Sequence, residues 1–272
     1  MEKTHKYLIM SLILLTIVSC GRGSKTNVPA AKPLPLNISI YLDLSNRLLT
    51  KNQPANDKAI VLHFADLFIQ KAEADKIIPC KDRISIFFYP DPDLPDINEL
   101  SQNLSLDLGT TQVKEKKVKL KNLHSSWDST LTKIYDTTIE NKRWIGSDIY
   151  GFFSENVKNY CVKDGYRNIL IILTDGYIYD VHNKIISGDE STYISVKTLA
   201  NPKSRLSVPR KDLSDLEVLM LEVNAQPGTD LPKMKDVIST WFKEMGVNKY
   251  EVLKSDLPSR TSGSIDKFMN CQ

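Results

Sequence analysis

Two kinds of segment alternate along this chain: short apolar runs of strand length and longer stretches whose apolar residues recur at helical spacing. Ile38 to Leu42 is a β-branched run with an aromatic residue, the pattern of a buried strand. From Pro54 to Lys76, Ile60, Leu62, Phe64, Leu67, Phe68 and Ala72 fall at roughly helical spacing. Arg83 to Tyr89 (RISIFFY) predicts a second strand, stopped by Pro90-Asp91-Pro92, and Asn103 to Leu108 alternates as an edge strand does. Ser125 to Ile139 and Asp148 to Tyr160 predict helices. Asn168 to Leu173 (NILIIL) and Leu216 to Val223 are continuous apolar runs, the mark of strands covered on both faces. Asp230 to Met245 predicts a further helix and Tyr250 to Leu253 a last short strand. Strands separated by helical segments imply βαβ units. The expected fold is therefore a doubly wound, Rossmann-like α/β domain with a mostly parallel sheet and helices on both faces.

The N-terminus stands apart from this pattern. Residues 1–20 (MEKTHKYLIMSLILLTIVSC) place Lys3 and Lys6 ahead of an apolar run from Tyr7 to Val18, followed by Ser19 and Cys20. A basic region, a short apolar core and a small residue before the cut define a secretory signal peptide. The run falls short of the ~20 residues a membrane-spanning helix needs. Val18-Ser19-Cys20-Gly21 resembles a bacterial lipobox, which implies lipidation of Cys20 and anchoring by buried acyl chains. Residues 21–36 (GRGSKTNVPAAKPLPL) have little to bury and read as a tether. Gly21 is not an aspartate and no acidic run follows Cys20, so the outer membrane, with the domain facing the periplasm, is the expected location.

Residues 37–272 remain, about 235 residues, which fit one domain carrying an insertion at about 176–211. With 41% hydrophobic and 25% charged residues the composition is ordinary for a chain with a sizeable core. A net charge of +3, with no basic stripe interleaved by aromatics, excludes a nucleic-acid partner. Cys80, Cys161 and Cys271 are odd in number and lack CxxC spacing, which argues against a zinc or thioredoxin-like site and leaves disulfide pairing open.

In open α/β sheets ligands bind beyond the carboxyl ends of strands, at a switch in strand order. The first strand ends at Asp43 in "YLDLSNR", and the Asn168 run ends at Thr174-Asp175-Gly176. A third loop, Gly146-Ser147-Asp148, opens a helix just before that run. Asp43, Ser45, Ser147 and Asp175 offer two carboxylates and two hydroxyls, an oxygen set suited to Mg²⁺ or Mn²⁺. "YLDLSNR", "WIGSDIYGFF" and "ILIILTDG", in this order, resemble the three loops of a von Willebrand factor type A domain over about Leu36 to Leu253. The resemblance implies a metal-ion-dependent adhesion site with Asp43 and Ser45 in its first loop, Ser147 in place of a threonine, and Asp175 as the third-loop carboxylate. It also implies a partner that completes the cation's shell with an acidic side chain.

Arg47 departs from that pattern, standing where the family has a second serine. A guanidinium has no lone pair to give and stays protonated. Pointed inward it repels a cation; pointed outward it removes one donor; paired with Asp43 or Asp175 it replaces the cation's charge. A purely structural account also exists: Asp43 and Ser45 fix a turn, Ser147 caps a helix with Asp148 in its first turn, and Asp175-Gly176 is a common turn pair. The long connection Gly176 to Lys211, with Tyr177, Ile178, Tyr179 and Val181 followed by a basic stretch, is a candidate for partner choice. Lys114 to Lys121 (KEKKVKLK) reads as a solvated edge or loop. His63 and His124 have no ligand-spaced partner, and His182 follows Asp175 too loosely to join it.

Enzyme readings lack their spacings. Ser45 occupies the place where a haloacid-dehalogenase-type phosphatase needs its second carboxylate. Ser147 has Ile145 and Ile149 where a nucleophile elbow needs glycines, and no phosphate-binding glycine pattern occurs. Metal-assisted hydrolysis would have only Asp148 and Asp180 as bases. The expectation is a lipid-anchored envelope module that binds a protein or another envelope component, with a metal-free scaffold as its alternative.

Overall fold

The computed structural model describes residues 33–89, 91, 92, 94, 96–142, 147–177, 208–224 and 230–270. Contacts divide the chain into Met1–Pro33 and Leu34–Gln272, and every strand belongs to the second unit. The signal peptide, the lipidation site Cys20, most of the tether, residues 178–207 of the long connection (Asp180 and His182 among them) and Cys271 lie outside the described residues.

Six strands form one sheet: β1 (Leu36–Leu42), β2 (Arg83–Phe87), β3 (Ser105–Asp107), β4 (Arg167–Leu173), β5 (Leu216–Val223) and β6 (Lys249–Lys254), in the order β3-β2-β1-β4-β5-β6. All neighbours pair in parallel except β2 with β3. The continuous apolar runs sit in the middle, where every residue of β1 is buried. The short alternating segment forms the antiparallel edge, as its pattern requires.

Alternate residues of each strand feed two separate cores. On one face Ile38, Ile40, Ile169 and Ile171 pack with α1 (Gln53–Ala74), α3 (Val113–Asn141) and α6 (Pro258–Asn270), through Phe64, Phe68, Trp127, Leu131 and Phe268. A short helix, α2 (Ile97–Asn103), leads into β3. On the other face Leu170, Ile172, Val218 and Met220 pack with α4 (residues 149–161) and α5 (Leu231–Glu244), through Phe152, Phe153, Trp241 and Phe242. Helix α4 comprises Ile149–Gly151, a π-type segment Phe152–Asn156, and Val157–Cys161. Cys80 and Cys161 are free thiols in these interiors. Burial pushes them up to about 11 and about 12 respectively, which leaves them protonated and inert.

Three elements differ from the sequence reading. Helix α2 was not predicted, and it takes in Asn103, which the pattern gave to the edge strand. The basic run Lys114 to Lys121 is no loop but the start of α3. Leu120 and Leu123 extend the helix's apolar stripe, and Lys116 lays its stem inward so that Nζ donates to the carbonyls of Ile78 (2.7 Å) and Cys80 (2.9 Å). Helix α6 was not anticipated at all: its Ser, Thr and Gly lower helix propensity, and Thr261, Ile265 and Phe268 alone carry its buried face.

Three adjacent strands, β4, β5 and β6, are tied by charge. Arg167 of β4 and Lys249 of β6 both reach Glu217 of β5, at 2.7 and 2.9 Å. Burial opposes the Glu217 charge, but these hydrogen bonds outweigh it and hold its carboxyl below the ordinary 4.5. A carboxyl lowered on folding stabilises the native state above its unfolded value, and that contribution is lost as pH falls through the lowered value. In acid titrations followed by circular dichroism, Glu217→Gln should therefore lose less stability than the natural chain as pH falls below about 4.5.

Candidate functional site at the carboxyl edge of the sheet

The chain runs outward from β1 to β2 and β3, then crosses back to β4 on the other side of β1. The switch point lies between β1 and β4, and the loops leaving both strands meet there. Leu42 pairs with Leu173. The next backbone N–H, that of Asp43, donates to the carbonyl of Leu173 at 3.1 Å. This fixes Asp43 beside Thr174-Asp175.

Asp43 is 2% exposed and both its oxygens accept hydrogen bonds: Oδ1 from the Ser45 backbone N–H (2.8 Å) and Oδ2 from the Thr174 hydroxyl (2.7 Å). Ser45 caps a 3₁₀ turn, Asn46–Leu49, its Oγ accepting from the Arg47 N–H at 3.5 Å. Asp175 is half-buried, and its Oδ1 accepts from the Tyr177 N–H at 3.2 Å. Burial first, and then the Asp43 charge, push the Asp175 carboxyl up to about 6. Gly176 makes the turn possible: its φ is +94°, and a Cβ there would meet Val223 Cγ1 at 2.9 Å.

Arg47 points inward. Its Nε donates to the Asp43 carbonyl (3.1 Å), and its Nη2 to Asp57 Oδ2 (2.7 Å) and to the Leu173 carbonyl (3.2 Å). Nε also lies 3.8 Å from Asp43 Oδ2. Burial works against the guanidinium's charge, but the carboxylates of Asp57 and Asp43 outweigh it and hold Arg47 protonated. Burial likewise lifts the Asp57 carboxyl, while Arg47, Gln53 Nε2 (2.9 Å) and the Tyr135 hydroxyl (3.3 Å) donate to it. With a charged guanidinium at 2.7 Å, the ion pair is the state we assign.

The network extends to β5. Gln53 Nε2 also lies 3.3 Å from Glu222 Oε2, which accepts from the Ser255 hydroxyl at 2.8 Å. Glu222 is 1% exposed, has φ +65° and sits at an irregularity in the pairing of β5 with β6. Such irregularities tend to re-aim a side chain at a sheet's rim.

Ser147 and Asp148 lead into α4 and are tied to Tyr41 of β1 and to Tyr89. Tyr41 donates its single phenolic proton to the Tyr89 carbonyl at 2.7 Å, so Ser147 Oγ, also at 2.7 Å, is the donor to Tyr41. Asp148 caps α4 by accepting from the Gly151 N–H at 2.7 Å, and its own N–H bonds the Tyr89 carbonyl. Hydrogen bonds thus join Asp43, Ser45, Arg47 and Thr174 into one cluster with Asp175 next in the chain, while Ser147 is bonded to Tyr41, two residues before Asp43. Sequence reading missed Gln53, Asp57, Tyr135, Thr174 and Glu222. A signal existed for two of them: Gln53 and Asp57 fall in register with Ile60, Val61 and Phe64 on the buried side of α1.

Among the described residues one other cluster contains metal-ligating side chains. Asp75, Cys80 and Asp82 bring their ligand atoms within 4.8 Å of one another. The Lys71 ammonium contacts both carboxylates and already supplies the positive charge there.

Fold and edge together define a doubly wound α/β domain with a polar cluster at its switch point. No protein-family model matches the chain, and no curated protein matches it. Among solved structures it is similar to the pilus adhesin SpaC from Lactobacillus rhamnosus GG, at a TM-score of 0.45 and 11% identity over 87% of this chain. That match spans 30% of the adhesin's length. It is also similar to an aerotolerance-related membrane protein from Bacteroides fragilis NCTC 9343, at a TM-score of 0.41 and 12% identity, covering 86% of this chain and 98% of that one. Among the described residues no helix is long and apolar enough to cross a membrane.

Proposed function

We propose that the chain is a von Willebrand A-like binding module, lipid-anchored through Cys20 in the bacterial envelope, that presents this sheet edge to a protein partner and catalyses nothing. We further propose that it does so without a cation. The supporting observation is the buried Arg47 guanidinium, 3.8 Å from Asp43 Oδ2 and ion-paired with Asp57. Asp43, Ser45, Ser147 and Asp175 match the oxygen donors the resemblance asks for, but the set is one hydroxyl short. Mg²⁺ or Mn²⁺ on Asp43 would meet the guanidinium's like charge at close range. That repulsion is of order 5 kcal/mol at an effective dielectric of ~20. The set does not fit a divalent cation, and Arg47 stands in for its charge.

On the outer side of the same loop Asn46 is exposed and Leu49 is 63% exposed. They offer a partner one amide and one apolar contact beside the charged cluster. Photo-crosslinking from positions 46 and 49 in the native envelope tests the reading. A crosslinked protein band that persists in EDTA is the expected result. Absence of a crosslink at both positions overturns the docking edge, and loss in EDTA overturns cation independence. A cation-dependent reading draws on one observation: Asp175, lifted by burial and by Asp43, would gain from a neighbouring positive charge.

A further inference from the structure

A basic stripe on α3 has no role in the sheet-edge site. Val113, Lys114, Lys117, Val118 and Lys121 are all exposed, the two valines at 59% and 60%. At 100° per residue these five positions are mutual neighbours and cover one side of the helix's first turns. Glu115 lies off that arc, where it pairs with Lys119 at 3.6 Å. Among the described residues no carboxylate pairs with Lys114, Lys117 or Lys121. Three uncompensated ammonium groups therefore surround two exposed apolar side chains.

The stripe lies at the pole where the chain enters the folded unit. Leu34 is 56% exposed, and the Leu36 N–H bonds Asp82 Oδ1 at 2.7 Å. Lys116, between the stripe's lysines, bonds the nearby Cys80 carbonyl at 2.9 Å. The start of α3 is thus pinned beside the entry point, at the end of the sheet opposite Asp43 and Asp175.

We propose that this stripe seats the domain on an anionic phospholipid bilayer, the lysines on lipid phosphates and Val113 and Val118 in the headgroup layer. The proposal rests on the anchored reading above. From Cys20 to Leu34 the chain has fourteen steps (34 − 20), at most ~50 Å when extended, so the anchor keeps the stripe within reach of the membrane. Seated this way, the domain turns its carboxyl edge outward, toward a partner. Each lysine near an anionic surface adds to binding, and the sum falls with salt.

The test is vesicle co-sedimentation of the chain from Gly21 onward, which retains every strand and both cores. Vesicles of phosphatidylcholine alone are compared with vesicles that also contain phosphatidylglycerol. Binding should require phosphatidylglycerol and weaken with salt. It should fall roughly 100-fold in Lys114→Glu/Lys117→Glu/Lys121→Glu, with an unchanged thermal midpoint, and in part in Val113→Ser/Val118→Ser. Equal binding to neutral vesicles, no binding, or full binding by the charge-reversed variant overturns the proposal. So does displacement by inorganic phosphate at constant ionic strength, which would assign the lysines to free anions. Labelled palmitate fed to cells expressing the full chain reports the anchor separately: if Cys20 takes up no label, the anchored reading fails while the vesicle result stands.

Discussion

Replacing Arg47 with alanine should cost about 3–5 kcal/mol of unfolding free energy, far more than a surface arginine would. The loss comes from what the substitution leaves behind more than from what it removes. Asp57 is fully buried, and its carboxylate would keep only Gln53 and Tyr135 as donors. An ionised carboxylate without its cation in such a place either stays charged at high cost or takes up a proton. Two backbone carbonyls, Asp43 and Leu173, also lose the guanidinium. Asp57→Asn alone should cost less, because the amide keeps the shape and some of the hydrogen bonding. Urea denaturation of both single variants and of Arg47→Ala/Asp57→Asn closes the cycle. The double variant should be more stable than Arg47→Ala, with a coupling of at least ~1 kcal/mol. Additive losses would show that the pair is not the unit that holds this loop.

The same two positions govern cation binding. Arg47→Ser combined with Asp57→Asn supplies the hydroxyl that the natural loop lacks and removes the buried ion pair at once. Calorimetry should find saturable Mg²⁺ or Mn²⁺ binding in this variant, about tenfold or more tighter than in the natural chain, a difference of at least 1.4 kcal/mol. The added Asp175→Ala should abolish it. The natural chain should give no saturable heat with either ion up to millimolar concentration. Tight binding by the natural chain would show that the Arg47 guanidinium, 3.8 Å from Asp43 Oδ2, tolerates a cation on that carboxylate. Partner capture would then have to be re-examined as cation-dependent.

The architecture was legible because its signals are local. A continuous apolar run such as Asn168 to Leu173, too short for a helix and rich in isoleucine, reads as a strand covered on both faces, and the alternation of such runs with helical segments points to a mostly parallel sheet. The meeting of Asp43 with Asp175 also followed, since both leave strands at the same edge. What the order of residues could not give was the direction of Arg47. That depends on Asp57, ten residues on and across the 3₁₀ turn, and on Tyr135 in another helix. Helix α6 stayed hidden for the opposite reason: its three buried residues are too few to make a periodic signal. The basic run of α3 misled because lysine reads as solvent, whereas Lys116 buries its stem and satisfies its ammonium on two carbonyls.

The position of β1 has a kinetic consequence. Among the described strands it is the first to be synthesised, yet it lies in the centre of the sheet. Its second neighbour, β4, follows 131 residues later, as the bond between Asn37 and Asn168 records. Pairings this distant in sequence must close a long loop before they gain anything, which slows folding of parallel sheets. Until Leu173 has emerged, β1 can form only half its ladder, and no fragment ending before β4 contains the switch point. If the chain is exported as proposed, the central β1–β4 pairing could close only after β4 had crossed, so the finished sheet would form on the far side of the membrane.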